Sequence, residues 1–235
     1  MNLFAKNFVD TFNQAAKKSS RSILFDDFLK IAAASLNRDE NSFLEVDNKT
    51  LHLELFAHLA AAINYSISDK ALHDKSLNIY YIVDHTSGDS TPRYRDVLGE
   101  IFHALNLFEQ SGGQVFTPQH SADLMGELVF TPSFALSQIN LRGFVSIKDN
   151  CCGSGALIFG GLNALLALKI NPCRRAFVQA ADIDPRCVLM TFIQLSLYGI
   201  PAVVSRQDAI SNELLGEPLY TPILKHWRNF YGQKI

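Results

Sequence analysis

No run in this chain is long and apolar enough to span a bilayer. No low-complexity tract, internal repeat or long block of like charge interrupts it. No secretory signal is recognisable, so the sequence predicts a soluble, cytoplasmic protein with free thiols. The four cysteines form no pair of C-x-x-C hooks and the seven histidines do not cluster, so no metal site is expected. Charge of one sign is not in excess either. With 21 Lys and Arg against 23 Asp and Glu, the formal net charge of −2 gives no global field that would draw the chain onto nucleic acid. Tryptophan occurs once, at Trp227.

What is present is core material. Of 235 residues, 48% are hydrophobic and 19% charged, enough for one large domain or two small ones. Apolar residues recur at three- and four-residue steps over 3–16, 23–36 and 51–63, which predicts helices. The pattern over 69–81 is weaker, 86–92 reads as a loop, and 96–107 and 122–129 are helical again. The expected division is a helical N-terminal region, 1–110, and a second region, 111–235, with a boundary near the polar, glycine-containing stretch 110–113.

Residues 144–155, FVSIKDNCCGSG, carry the most specific signal. A β-branched run ends in Asp149, breaks into a small-residue turn and feeds an apolar helix over 156–168. Gly153 and Gly155 would let a ligand approach the backbone, and the free N–H groups of such a turn would favour a negative group. A second strand over 175–183 ends in Asp182-Ile183-Asp184-Pro185, with Pro185 suited to the first turn of the helix over 186–198. A third strand over 202–205 is closed by Arg206-Gln207-Asp208. An acid after the second strand is placed to take both hydroxyls of a ribose, and one after the third to reach an adenine edge. A dinucleotide-binding turn is the competing reading, although Ile158 occupies the third glycine position of G-x-G-x-x-G.

The ordered motifs resemble the adenine-N6 DNA methyltransferases, especially the methylation subunits of type I restriction-modification systems. Asp149 to Gly155 is similar to their D-P-x-C-G-S-G motif, and Gly113 to Pro118 to G-Q-x-[FY]-T-P. Asp96 to Phe102 resembles the D-x-L-G-x-[IV]-[FY] helix, and Asp182 to Pro185 the E-I-D-P segment. The resemblance spans roughly residues 96–208. It implies S-adenosylmethionine (SAM) as cofactor. Phe116, Thr117 and Pro118 would meet its methionine end; Asp149 and the turn of Cys151, Gly153 and Gly155 would hold its amino-acid moiety. Asp182 would bind the ribose, Ile183 would pack on the adenine, and Asp208 would contact the adenine amino group.

Three departures qualify the resemblance. Asn150 stands where the family has Pro, and Asp182 is one methylene shorter than the usual Glu. More seriously, no [ND]-P-P-[YFW] tetrapeptide occurs, so no residue is assigned to catalysis. The expectation is an α/β fold: a helical N-terminal region plus a partial Rossmann-like SAM-dependent methyltransferase sheet of about three parallel strands with flanking helices. Its first strand would be an open edge. The C-terminal segment, the N-terminal helices, a restriction-modification subunit or a second copy would cover it. The function implied is SAM binding, with methylation only where a partner supplies the base pocket; the alternative is a catalytically inactive module engaging DNA or a restriction-modification subunit. The basic and aromatic segment 225–234 reads either as a terminal helix docking Trp227 and Tyr231 or as a nucleic-acid contact, packing being favoured.

Overall fold

The computed structural model describes residues 1–17, 20–37, 49–67, 73–74, 79–80, 93–107 and 117–231. Three helices open the chain: α1 (Leu3–Ala15), α2 (Arg21–Asn37) and α3 (Lys49–Ser66). Asn2 caps α1, its side chain accepting from the Ala5 N–H at 3.0 Å. Their apolar faces meet in a phenylalanine cluster, with Phe8 and Phe28 edge to face at 5.0 Å and Phe12 and Phe25 at 6.2 Å. Within 69–81 the described residues form two short antiparallel strands, β1 (His73–Asp74) and β2 (Ile79–Tyr80). Helix α4 (Val97–Ala104) follows, and Phe102 joins the cluster 5.6 Å from Phe25.

The remainder is an α/β unit. Its elements are α5 (Gln119–Val129), α6 (Pro132–Arg142), β3 (Val145–Asp149), α7 (Ala156–Ala167), α8 (Pro172–Arg175), β4 (Ala176–Asp182), α9 (Pro185–Leu197), β5 (Ala202–Arg206), β6 (Leu219–Tyr220) and α10 (Leu224–Tyr231). The sheet order is β3-β4-β5-β6. The first three strands are parallel, as the β-α-β spacing expected, and the short β6 adds antiparallel to β5. This is half of a Rossmann-like sheet.

Side-chain alternation assigns the two sheet faces. Val145, Ile147, Val178, Ala180, Ala202 and Val204 enter the main core, with α7 and α9 packed on them. Phe144, Phe177 and Val203 point the other way and are covered by Leu224 and Trp227 of α10. Trp227 and Tyr231 therefore dock on the body. Helix α2 packs on α9, and Arg186 of α9 holds Asp26 at 2.8 Å. One contiguous core runs from Phe8 and Phe28 through Leu98 to Phe192 and Val178. The boundary expected near 110–113 lies outside the described residues.

Helix α6 and turn α8, like the short strand β6, were not expected from the sequence. Helix α6 has a Thr131 cap, Pro132 in its first turn and a left-handed Gly143 after its end, yet it buries only Ala135. Its apolar residues do not gather on one side, so no period marks it. Ahead of β4, Pro172–Arg175 form the single turn α8, with the Asn171 side chain accepting from the Cys173 N–H at 3.0 Å.

Candidate functional site

Parallel strands turn all their carboxyl ends to one side, so β3, β4 and β5 deliver Asp149, Asp182 and the Gln207-Asp208 pair to one end of the sheet, termed the crevice. The glycine turn follows β3 directly. Gly155 adopts φ +104° as the cap of α7, where a side chain would be strained and its Cβ would meet the Phe159 ring at 3.0 Å.

The turn is clamped from three sides. From β4, Ala181 O accepts from the Cys152 N–H at 2.9 Å, and Asp182 Oδ2 accepts from the Gly153 N–H at 2.8 Å. From α9, Thr191 Oγ1 donates to Gly153 O and Gln194 Nε2 to Ser154 O, both at 2.9 Å. From α4, the cap residue Asp96 receives a hydrogen bond from Ser154 Oγ. Asp96 also accepts from the Gly99 N–H at 2.9 Å and from Gln194 Nε2 at 3.0 Å. Burial pushes its carboxyl above the ordinary carboxylate range, and these hydrogen bonds pull it part of the way back.

Four N–H groups of the turn are taken by the protein, while the first turn of α7 behind Gly155 carries no side-chain cap. Cys151 N–H donates to Asp149 Oδ1 at 3.1 Å, Gly155 N–H to Cys152 O at 2.8 Å, and the Cys152 and Gly153 N–H groups go to β4. What the crevice offers instead is acceptors. Burial raises the Asp149 carboxyl, its hydrogen bond from Cys151 opposes the shift, and the charge of Asp182 adds to it. Asp182 Oδ1 accepts from the Asp184 N–H at 2.9 Å, and a carboxylate with one N–H on each oxygen retains lone pairs for a hydroxyl. Carboxylates so placed attract hydrogen-bond donors and cationic groups.

The other candidate residues fall into place unevenly. Ile183 is 57% exposed beside Asp182, with its carbonyl oxygen accepting from Arg206 Nε at 3.1 Å. Cys151 is exposed, whereas Cys152, Cys173 and Cys187 are buried. Asp208 lies at the end of β5, but its Oδ1 closes its own turn, accepting from the Ile210 N–H at 2.8 Å and the Ser211 N–H at 3.2 Å. Those bonds hold its carboxyl below the usual range. Thr117 and Pro118 lie at the start of α5, and Phe116 lies outside the described residues. Gln119 behind them accepts from the Asp96 N–H at 3.3 Å, so the Thr-Pro turn is tied to the glycine turn through Asp96 and Ser154.

No family model and no curated protein matches the chain. Among solved structures, the type I restriction-modification system methyltransferase subunit from Streptococcus thermophilus is similar with a TM-score of 0.36 and 15% identity over 89% of this chain. The chain spans 58% of that subunit's length.

Sequence reasoning missed the residues that hold the turn. Thr191 and Gln194 are fully buried polar side chains three residues apart on α9. Polar residues inside an otherwise apolar stripe were a usable signal, since buried polar groups find partners. Ser154 gave no comparable signal, because serine in a glycine turn is ordinary turn chemistry. Among the described residues no cluster of His, Cys, Asp and Glu could hold a metal ion.

Proposed function

We propose that the crevice binds S-adenosylmethionine, and that methyl transfer to adenine N6 of DNA requires a second polypeptide to complete the base pocket. The observation that carries this reading is that the carboxyl ends of three parallel strands bring Asp149, Asp182 and Asp208 beside a glycine turn whose Cys151, Cys152 and Gly153 N–H groups already bond to the protein. Those three N–H groups are not open to the pyrophosphate of a dinucleotide. SAM needs acceptors: its ammonium and sulfonium groups are cationic and its ribose hydroxyls donate. Asp149 and the turn of Cys151, Gly153 and Gly155 would receive the amino-acid end, Asp182 the ribose and Ile183 the adenine face. Thr117, with Phe116 and Pro118, would close over the methionine chain, and Asp208 would reach the adenine amino group if its turn opens.

Among the described residues strand β3 is an edge of the sheet, and a groove of about 350 Å³ runs beside it between Met125, Val129 and Phe134 on one side and Ile147 and Lys148 on the other. Leu128, Val129, Leu136 and Leu141 on the flanking helices are all more than half exposed. An open strand bordered by apolar side chains is an association surface. This supports a partner subunit or second copy that adds strands at β3, and it equally fits the alternative of a binding module without chemistry.

Calorimetric titration with SAM tests the cofactor reading. Binding of micromolar strength is expected, weakened at least about fivefold in Ile183→Ala through lost packing on the adenine. Ile183 is the informative site because its exposure separates ligand contact from folding, whereas Asp182→Ala would also release the Gly153 N–H. A folded chain that takes up no SAM sinks the reading. The double variant Val129→Asp/Phe134→Asp should keep SAM affinity and lose any partner-dependent methylation; unchanged methylation would remove the edge from the proposal.

A further inference from the structure

A second cavity, of about 290 Å³, opens at the opposite end of the sheet, where α8 enters β4. Cys173, Arg174, Arg175, Ile223, Trp227, Phe230 and Tyr231 line it, with no acid among them. Trp227 Nε1 and Tyr231 OH both donate to Arg174 O, at 3.0 and 2.8 Å. Their polar tips are thereby turned into the protein; Trp227 is buried with its ring stacked on Phe177 at 5.5 Å, so Tyr231 and Phe230 offer the accessible rings. Phe230 is 72% exposed although its neighbours on α10 pack against the sheet. One Arg175 nitrogen is fixed on Gly143 O at 2.7 Å, which anchors that guanidinium at the rim.

We propose that this cavity binds a nucleoside phosphate, free or at the end of a single strand. The exposed Phe230 ring and Tyr231 beside it supply π faces for a planar base, and base–aromatic stacking is sequence-tolerant. Arginine forks supply bidentate donors for an acceptor that carries charge. Ring and anion together describe a nucleotide, and the volume is at the low end for a small-ligand site, room for one unit and not for a duplex. The two poles of the sheet are then complementary: acceptors at the carboxyl ends of the strands, and guanidinium donors with aromatic faces at the amino end of β4. The proposal is independent of SAM binding.

Trp227 is the single tryptophan and lines this cavity, so its fluorescence reports on occupancy there. The full chain would be titrated with adenosine 5′-monophosphate, adenosine, inorganic phosphate and a 5′-phosphorylated single-stranded oligonucleotide. Saturable quenching by adenosine monophosphate is expected, with adenosine and phosphate each about tenfold or more weaker. Phe230→Ala and Arg174→Gln should each weaken it about tenfold, while Ile183→Ala leaves it unchanged. Quenching by the oligonucleotide as well assigns the site to a strand end; quenching by the mononucleotide alone assigns it to a free nucleotide. Absence of quenching, equal binding of phosphate alone, or variants that bind like the parent would overturn the proposal. Circular dichroism of both variants checks that the fold is kept.

Discussion

Replacing Gly160 by Ala sets two physical effects against each other, and the packing of α5 on α7 decides between them. Gly→Ala inside a helix stabilises by about 1 kcal/mol through backbone entropy. At Gly160, however, a Cβ would lie 2.0 Å from Ala122 O, 2.4 Å from Ala122 C and 3.0 Å from Asp123 N. The reciprocal contact is as close, since a Cβ on Gly126 would lie 2.2 Å from Gly160 O. An ordinary carbon–oxygen approach is about 3.3–3.6 Å, so the helices must part by more than about 1 Å. The obstacle is backbone, and no rotamer relieves it. Overpacking of this kind costs about 1–3 kcal/mol, and parting the helices also forfeits dispersion along the whole crossing. The net expectation is destabilisation by about 2 kcal/mol. With a urea slope of about 3 kcal/mol per M for a chain of this size, the unfolding midpoint should fall by roughly 0.7 M. Gly216→Ala is the control, because nothing lies within 4 Å of a Cβ there. If Gly160→Ala leaves the midpoint unchanged or raises it, the close crossing is wrong. Under the proposed function SAM affinity should fall too, since α5 begins at Thr117-Pro118 and α7 begins at the glycine turn.

Two further outcomes test the site. Burial raises the Asp96 carboxyl above its usual 3.8, so its contribution to stability is full below that pH and is lost as pH rises through the folded value. Asp96→Asn should therefore flatten the fall in stability between acidic and neutral pH in urea unfolding series; parallel pH profiles for the two proteins would refute this. Of the four cysteines only Cys151 is exposed, so a thiol reagent should modify one group rapidly in the folded chain, and Cys151→Ser should abolish that fast phase. SAM should slow the modification. Fast reaction of two or more thiols would contradict the packing of Cys152 beneath the turn.

The order of elements around the crevice was legible because its causes are local. Apolar runs of strand length ended by Asp149, Asp182 and Arg206-Gln207-Asp208, with Gly155 and Pro185 opening the helices between them, leave few other arrangements for this stretch. Asp96 was legible as a helix start and as part of a motif, but not as a strut under the turn. Its partners Ser154 and Gln194 are 58 and 98 residues away, and no local pattern reports such distances. Helix α6 was illegible for the opposite reason: nearly all of it faces solvent, so burial leaves no period in its sequence. The C-terminal helix was ambiguous, because basic residues alternating with aromatic ones fit both a docked helix and a nucleic-acid contact.

The sequence by itself determined a β-α-β-α-β core, the glycine turn between its first strand and helix, and the delivery of three acids to one end of three parallel strands. Each follows from neighbours along the chain: side-chain period, caps and the sterics of glycine and proline. Tertiary structure alone decided the character of the crevice, because which N–H groups of the turn remain free depends on what β4 brings against them. It also decided that α10 covers Phe144 and Phe177 while leaving Phe230 beside two arginines, a juxtaposition of residues more than 50 positions apart in the chain. Long-range packing sets both, since a buried donor or acceptor takes whichever partner the fold presents to it.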